Sequence, residues 1–317
     1  MRILILSDIH YACDAEKARG DFRTKGITNP ITRFIVGRWS DWLWEGDPFE
    51  KNEAFHRFLD RDYNVDLVVA NGDYSADSAF IGIADDAAHE SAQFVMAKLE
   101  NKFGDRLIST IGDHELGKIS PDGGRGNMAI AGLHRSHALP TVATQWKKQH
   151  DNLVIIGVNA TLIALPALAR DMLPEEVAEW QHHRKEHIDW INSTFDALGS
   201  DEQVILFCHD PTALPYLHEM KSVRNRLTQI EHTVIGHLHS QWILTTAGYI
   251  SGFPIINFLG AGVQRVSHGL NQAKCWKDFN LLFCPALDGI KWHKGASVLL
   301  DIDAKDPERK KVTLLTV

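Results

Sequence analysis

Aspartate and histidine recur in five short segments of this chain, in a mixture that suits ligation of divalent metal ions. The segments are Ser7-Asp8-Ile9-His10, Asn71-Gly72-Asp73, Ile111-Gly112-Asp113-His114-Glu115, Cys208-His209-Asp210 and Gly236-His237-Leu238-His239, with Asp77 trailing the second. Hard carboxylate oxygens combined with imidazole nitrogens favour Mn, Fe, Zn or a similar ion. Taken singly, each residue reads as an ordinary turn aspartate or core histidine. Their number and order carry the argument.

Four of the segments follow or end apolar, strand-like runs at residues 3–6, 65–70, 107–111 and 204–208, and the fifth follows a shorter run at 233–235. A strand that ends in glycine or a polar residue delivers side chains to the carboxyl edge of a sheet, where ligands of α/β proteins collect. Between these runs the pattern predicts helices over 50–62, with Phe55, Phe58 and Leu59 inward, and over 84–102, with Phe94, Val95 and Leu99 on one side. A buried strand is expected at 153–158, followed by a loop. A long polar helix is expected over 174–198, with Pro174 suited to its first turn, and a short helix over 211–220. Gly123, Gly124, Gly126 and Pro121 make 117–127 a loop. Beyond His239 strands are expected at 242–245, 255–259, 279–283, 296–302 and 312–317.

Residues 27–49 are unusual. Apolar side chains at 31, 34, 35, 39, 42 and 43 approximate one helical face, interleaved with Arg33, Arg38, Asp41 and Glu45. Trp39, Trp42 and Trp44 either pack that face on the domain or form an apolar cap. Such a cap would meet a lipid or nucleoside portion of a substrate, or a membrane surface, since Trp favours interfaces.

The chain has 317 residues, 44% hydrophobic and 23% charged, which is ordinary for a soluble globular protein with a large core. Its net charge of −8 disfavours nucleic acid as the main partner, because backbone binding needs clustered Lys and Arg. Cys13, Cys208, Cys275 and Cys284 show no zinc-finger or CxxC spacing, so a reduced, cytoplasmic setting is the plainer expectation. The first apolar run is too short for a signal peptide, and cleavage beyond it would remove Asp8 and His10. The most hydrophobic stretch, 153–169, is interrupted by Asn159, Thr161 and Pro166 and falls short of the roughly 20 residues of a bilayer span.

The pattern D-x-H, G-D, G-x-H-E, H, G-H-x-H, running from Asp8 to His239, resembles the calcineurin-like metallophosphoesterase family. The resemblance implies an α/β fold, a four-layer α-β-β-α sandwich of two mixed sheets flanked by helices. The metal site would lie at the sheet edges of a single domain spanning 1–317, with an aromatic-rich insertion at about 27–49. It also implies roles by position. Asp8, His10 and His239 would hold one metal ion, His209 and His237 the other, with Asp73 bridging. Asp113 stands where the family has Asn, an oxygen ligand of the second metal. His114 falls where the family places a histidine near the leaving group, as proton donor or charge stabiliser.

Two divalent ions (Mn, Fe or Zn) about 3.5–4 Å apart can clamp the attacking and leaving oxygens of an in-line displacement. They also lower the pKa of a shared water, so that a metal-bridging hydroxide serves as nucleophile. The implied activity is metal-dependent hydrolysis of a small phosphate ester, a phosphodiester slightly ahead of a phosphomonoester. A weakly active interaction module on the same scaffold is the competing class. It would usually lack ligands, whereas here only the Asn position differs.

Around this set, Glu115 reads as a support, and Asp210 either orients an imidazole or caps the helix before Pro211. Lys118 and Arg125 are candidates for contact with a substrate anion. His183 and His187 stand four apart on a helix, as a metal pair can, but Gln181, Arg184, Lys185 and Glu186 mark that face as solvated. His89, His134, His137 and His268 are unassigned.

Overall fold

A computed structural model describes residues 1–19, 29–31, 33–35, 38, 48–76, 80–118, 126–236, 273–289, 294–302 and 310–317. Among the described residues, ten strands form two five-stranded sheets. One is built from β1 (Arg2–Leu6), β2 (Leu67–Ala70), β3 (Leu107–Ser109), β9 (Ala296–Ile302) and β10 (Lys310–Thr316), in the order β10-β9-β1-β2-β3. The other has β4 (Gln145–His150), β5 (Leu153–Val158), β6 (Gln203–Cys208), β7 (Ile230–Ile235) and β8 (Leu281–Phe283), side by side in chain order. Both are mixed: β1, β2 and β3 run parallel, β9 is antiparallel to β1 and β10 antiparallel to β9, while β5 to β8 run parallel and β4 is antiparallel to β5.

The two-residue period of the strands sorts their apolar side chains into separate layers. Ile3 pairs with Leu67 and Leu300, and Ile5 with Val69 and Val298; this face packs against Ile155, Ile205, Phe207 and Val234 of the second sheet. The alternate positions, Leu4, Leu6 and Val68, face the helix side. There they join Phe55 and Phe58 of α1 (Pro48–Leu59) and Val95, Met96 and Leu99 of α2 (Asp86–Phe103). Strands buried on both faces need apolar residues at every position, hence the uninterrupted runs at 3–6 and 153–156. The four-layer sandwich is therefore present.

The sequence hides one strand. β4 reads Gln-Trp-Lys-Lys-Gln-His, with only Trp146 buried, because an edge strand needs few apolar residues and exposed lysines discourage further pairing. The loop expected after β5 is a correction. Asn159 accepts a hydrogen bond from the Leu162 backbone N–H at 3.1 Å and caps a short buried helix, Ala160–Ile163. The strand expected at 279–283 begins only at Leu281, after a 3₁₀ run over Ala273–Phe279. Those at 242–245 and 255–259 lie outside the described residues.

In the 27–49 segment, residues 30, 31, 33–35 and 38 are helical, and Ile31, Phe34 and Ile35 are exposed. Trp39, Trp42 and Trp44 lie outside the described residues. No helix among the described residues is long and apolar enough to cross a membrane.

The remaining long helices are α4 (Ile130–His137) and α5 (Val177–Asp196), preceded by the one-turn α3 (Asp113–Leu116). The solvated face expected for His183 and His187 is only half right. His187 sits on the buried stripe of α5 with Trp180, Ile191 and Phe195. Its Nε2 accepts from the Asn159 N–H at 3.1 Å, and its Nδ1–H donates to Gln145 Oε1 at 2.6 Å. Burial pushes its pKa down to about 3, against an ordinary 6.5. The unfolded chain therefore binds the extra proton across that interval, and native stability is complete above about 6.5 and falls with pH below it, by roughly 1.4 kcal/mol per unit. In His187→Leu this proton-linked loss is absent, but the Asn159 N–H is left without its acceptor, at about 1–3 kcal/mol. Urea unfolding in chelator should find the variant weaker at pH 7.5 and the gap to wild type closing as the pH approaches 5. A gap independent of pH would show that His187 takes up its proton equally in both states.

Candidate metal centre

Because β1, β2 and β3 are parallel, the segments that follow them emerge on one edge: Asp8 and His10 after β1, Asp73 after β2, Asp113 and His114 after β3. In the second sheet, parallel β6 and β7 deliver His209 and Gly236 to the corresponding edge. A hydrogen bond joins the two edges, His209 Nδ1–H donating to the Asn71 carbonyl at 2.5 Å. That bond fixes the tautomer and turns Nε2 toward Asp73 Oδ2, 3.0 Å away, and Asp113 Oδ1, 3.4 Å away.

The chain folds tightly here. Asp8, His10 and Asp73 all have left-handed backbone, with φ of 53°, 48° and 60°. Each such non-glycine conformation costs on the order of 1–2 kcal/mol, so three among the expected ligands mark a site whose geometry outweighs local comfort. Gly72, with φ of 91°, lies so close to Gly112 that a Cβ would come within 2.6 Å of its Cα. Only glycine at both positions lets the second and third segments touch.

Donor atoms of Asp8, Asp73 and His209 all lie within 4.8 Å of one another, and so do those of His10, Asp73 and His114. Asp73 is common to both groups and fully buried. Asp8 Oδ1 also lies 3.8 Å from His10 Nε2, and His114, expected near the leaving group and on neither metal, joins the donors around Asp73. His237 and His239, expected on opposite metals, and Asp77 and Arg125 lie outside the described residues.

Burial alone would neutralise these groups, but their mutual fields outweigh it. Burial raises the Asp73 pKa, yet His209 and His114 bring it down below the ordinary carboxylate range. Burial lowers that of His209, yet Asp73 and Asp113 hold it well above 6.5. His10 is likewise raised, against burial, by Asp8, Asp288 and Asp73. His114 goes the other way: burial and the nearby Lys118 ammonium push it well below 6.5. A neutral His114 Nε2 thus accepts from Lys118 Nζ at 2.6 Å, while the same ammonium lies 3.4 Å from Asp113 Oδ2. Three carboxylates and several imidazoles converging out of water form a donor set that fits divalent cations.

The support is peptide-level. Glu115 accepts from the backbone N–H groups of Gly112 at 2.8 Å, Asp73 at 2.9 Å and Tyr74 at 2.7 Å. Burial and the Asp73 charge raise its pKa. Asp210 accepts from the Thr212 N–H at 2.8 Å, which makes it a helix cap. One residue escaped the sequence reading altogether. Asp288, paired with Lys51 at 2.7 Å and with its side chain buried, acts on His10 from a loop whose Leu287 N–H donates to the Ser7 carbonyl. It carries no motif, and only the fold brings it there.

The sequence profile of the calcineurin-like phosphoesterases matches residues 1–241. The chain belongs to that family. No curated protein matches it. Among solved structures, it is similar to a 5′-nucleotidase from Staphylococcus aureus, crystallised with α-ketoglutarate, at 12% identity and a TM-score of 0.38, over 99% of this chain and 52% of the other. It is also similar to the NAD nucleotidase of Haemophilus influenzae, at 12% identity and 0.38, over 100% of this chain and 50% of that one. The chain thus spans about half the length of these two proteins.

Glu115→Gln should separate support from ligation. Whichever way the amide turns, its NH₂ meets at least one of three backbone donors, so a buried N–H loses its acceptor at about 1–3 kcal/mol. Denaturant unfolding should record that loss, and chelator titration should strip metal from the variant at lower concentration because Asp73 is displaced. Unchanged metal retention would show that Asp73 is held by something other than Glu115.

Proposed function

We propose that this protein is a metal-dependent hydrolase of small phosphate esters, with two divalent ions held around Asp73. The observation that carries this reading is the shared position of Asp73, buried and within ligand reach of both Asp8/His209 and His10/His114. In this reading Asp8, His10 and Asp73 would hold one ion and Asp73, Asp113 and His209 the other, with His239 and His237 the further ligands that the family pattern implies. The ions supply Lewis acidity and an activated water at neutral pH.

The protein's own groups do the rest. His209 is oriented by its Nδ1–H bond to the Asn71 carbonyl and presents Nε2. Lys118 places a cation beside His114, suited to a phosphate oxygen or to charge on the departing oxygen. His114 acts at the departing oxygen as proton donor or charge stabiliser, with the Lys118 ammonium held against its Nε2.

Asp113 bears on the substrate. The family's Asn offers both an oxygen and an N–H; an ionised Asp offers acceptors only. A lost hydrogen bond to a charged phosphate is worth roughly 1.5–3 kcal/mol. Lys118, at 3.4 Å, offsets the added negative charge but does not restore that N–H. The balance favours the less charged phosphodiester over a monoester dianion.

The test is an ester panel before and after metal removal. Activity should vanish in chelator and return with Mn²⁺, Zn²⁺ or Fe²⁺, and Asp73→Asn should retain neither ion. Full-rate hydrolysis by verified metal-free protein would overturn the proposal. At fixed metal occupancy Asp113→Asn should gain roughly tenfold or more on a monoester relative to a diester; equal kinetics would remove Asp113 from specificity.

His114→Ala should slow esters of poor leaving groups far more than activated aryl esters, since only the former need protonation. Equal losses on both would assign His114 to binding.

A further inference from the structure

A second group of metal-ligating side chains lies away from the centre, between α4 and α5. His134 Nε2 is 3.2 Å from Glu179 Oε1, and His183 Nε2 is 3.9 Å from the same oxygen. One donor from each of the three lies within 4.8 Å of the others. Glu179 and His183 are four apart on α5, so they rise from one face on successive turns. His134 reaches them from α4, its ring 6.3 Å from that of His183 and nearly perpendicular to it. The neighbouring His137 is engaged elsewhere, with Thr144 Oγ1 at 2.5 Å.

We infer that His134, Glu179 and His183 form a separate Zn²⁺ site that clips α4 to α5. Two imidazoles and one carboxylate are a common zinc donor set, with water in the fourth position. Zinc bonds of about 2.0–2.2 Å place tetrahedral donors roughly 3.4 Å apart. The His134–Glu179 pair is already at that spacing, and His183 closes the rest by a side-chain adjustment at the surface. The helices are already tied beside it, Glu176 accepting from the Ile130 N–H at 2.7 Å. Next to Ile130, the Ala129 N–H donates to the Leu116 carbonyl at 3.1 Å, joining this region to α3. A bound ion here stiffens the support behind Asp113 and His114 without touching them.

The experiment counts zinc in the full chain. Metal-free protein is dialysed against micromolar free Zn²⁺ and analysed by elemental analysis as wild type, His134→Ala/His183→Ala, Glu179→Gln and Asp73→Asn. Wild type should hold one equivalent more than the double variant. Asp73→Asn should keep that equivalent while losing the central ions. Glu179→Gln should bind it roughly tenfold or more weakly. Zinc should raise the melting temperature of wild type above that of the double variant, the two being equal in chelator. Equal zinc content in wild type and double variant would overturn the site and leave only a surface ion pair. Should the double variant not fold, histidine side-chain NMR of wild type decides: added Zn²⁺ shifts His134 and His183 together, or the inference fails. Wild type that holds this equivalent but no central ions would count against the proposed activity alone.

Discussion

The carboxylates of Asp8, Asp73 and Asp113 are withheld from water within reach of one imidazole, that of His209. Taking such charges out of water costs several kcal/mol each unless opposite charge is close by. Here the compensation comes from His209, from Lys118 and from backbone N–H groups, and the donor set invites metal cations to supply the rest. The local geometry follows from this demand. Left-handed backbone at Asp8, His10 and Asp73 and the glycine-to-glycine contact of Gly72 with Gly112 are conformations that a chain adopts only when something else holds them.

What holds them is a division of labour between layers. The inter-sheet core of Ile3, Ile5, Phe207 and Val234 sets how closely the two carboxyl edges approach. The helix-side cores fix each sheet from outside. Glu115 then works at the last step, binding the peptide groups of two segments so that Asp73 and Asp113 keep their separation. Such a carboxylate is buried because three donors surround it, and its position admits no shorter or neutral substitute at equal stability.

The Lys118–His114–Asp113 contact shows how charges in a buried site answer one another. An ammonium stands 3.4 Å from the Asp113 carboxylate and also touches His114. The carboxylate is thus met locally by a cation in place of water.

Much of this was legible in the sequence. Uninterrupted apolar runs announce strands buried on both faces, and Asp and His placed after them announce a site at a carboxyl edge, because period and polarity are local properties. The helix over 84–102 was legible for the same reason. Other features depend on partners far along the chain. The polar edge strand Gln145–His150 has no apolar signature, since only one of its sides is paired. His187 and His183 look alike in sequence, yet a turn of helix separates a buried neutral imidazole from a surface one. Asp288 acts on His10 across nearly the whole chain. Ligand type was written in the residues. Which donors share Asp73, which histidine is buried and which carboxylate meets a cation were decided by the packing of one sheet against the other, because burial and through-space fields have no counterpart in linear spacing.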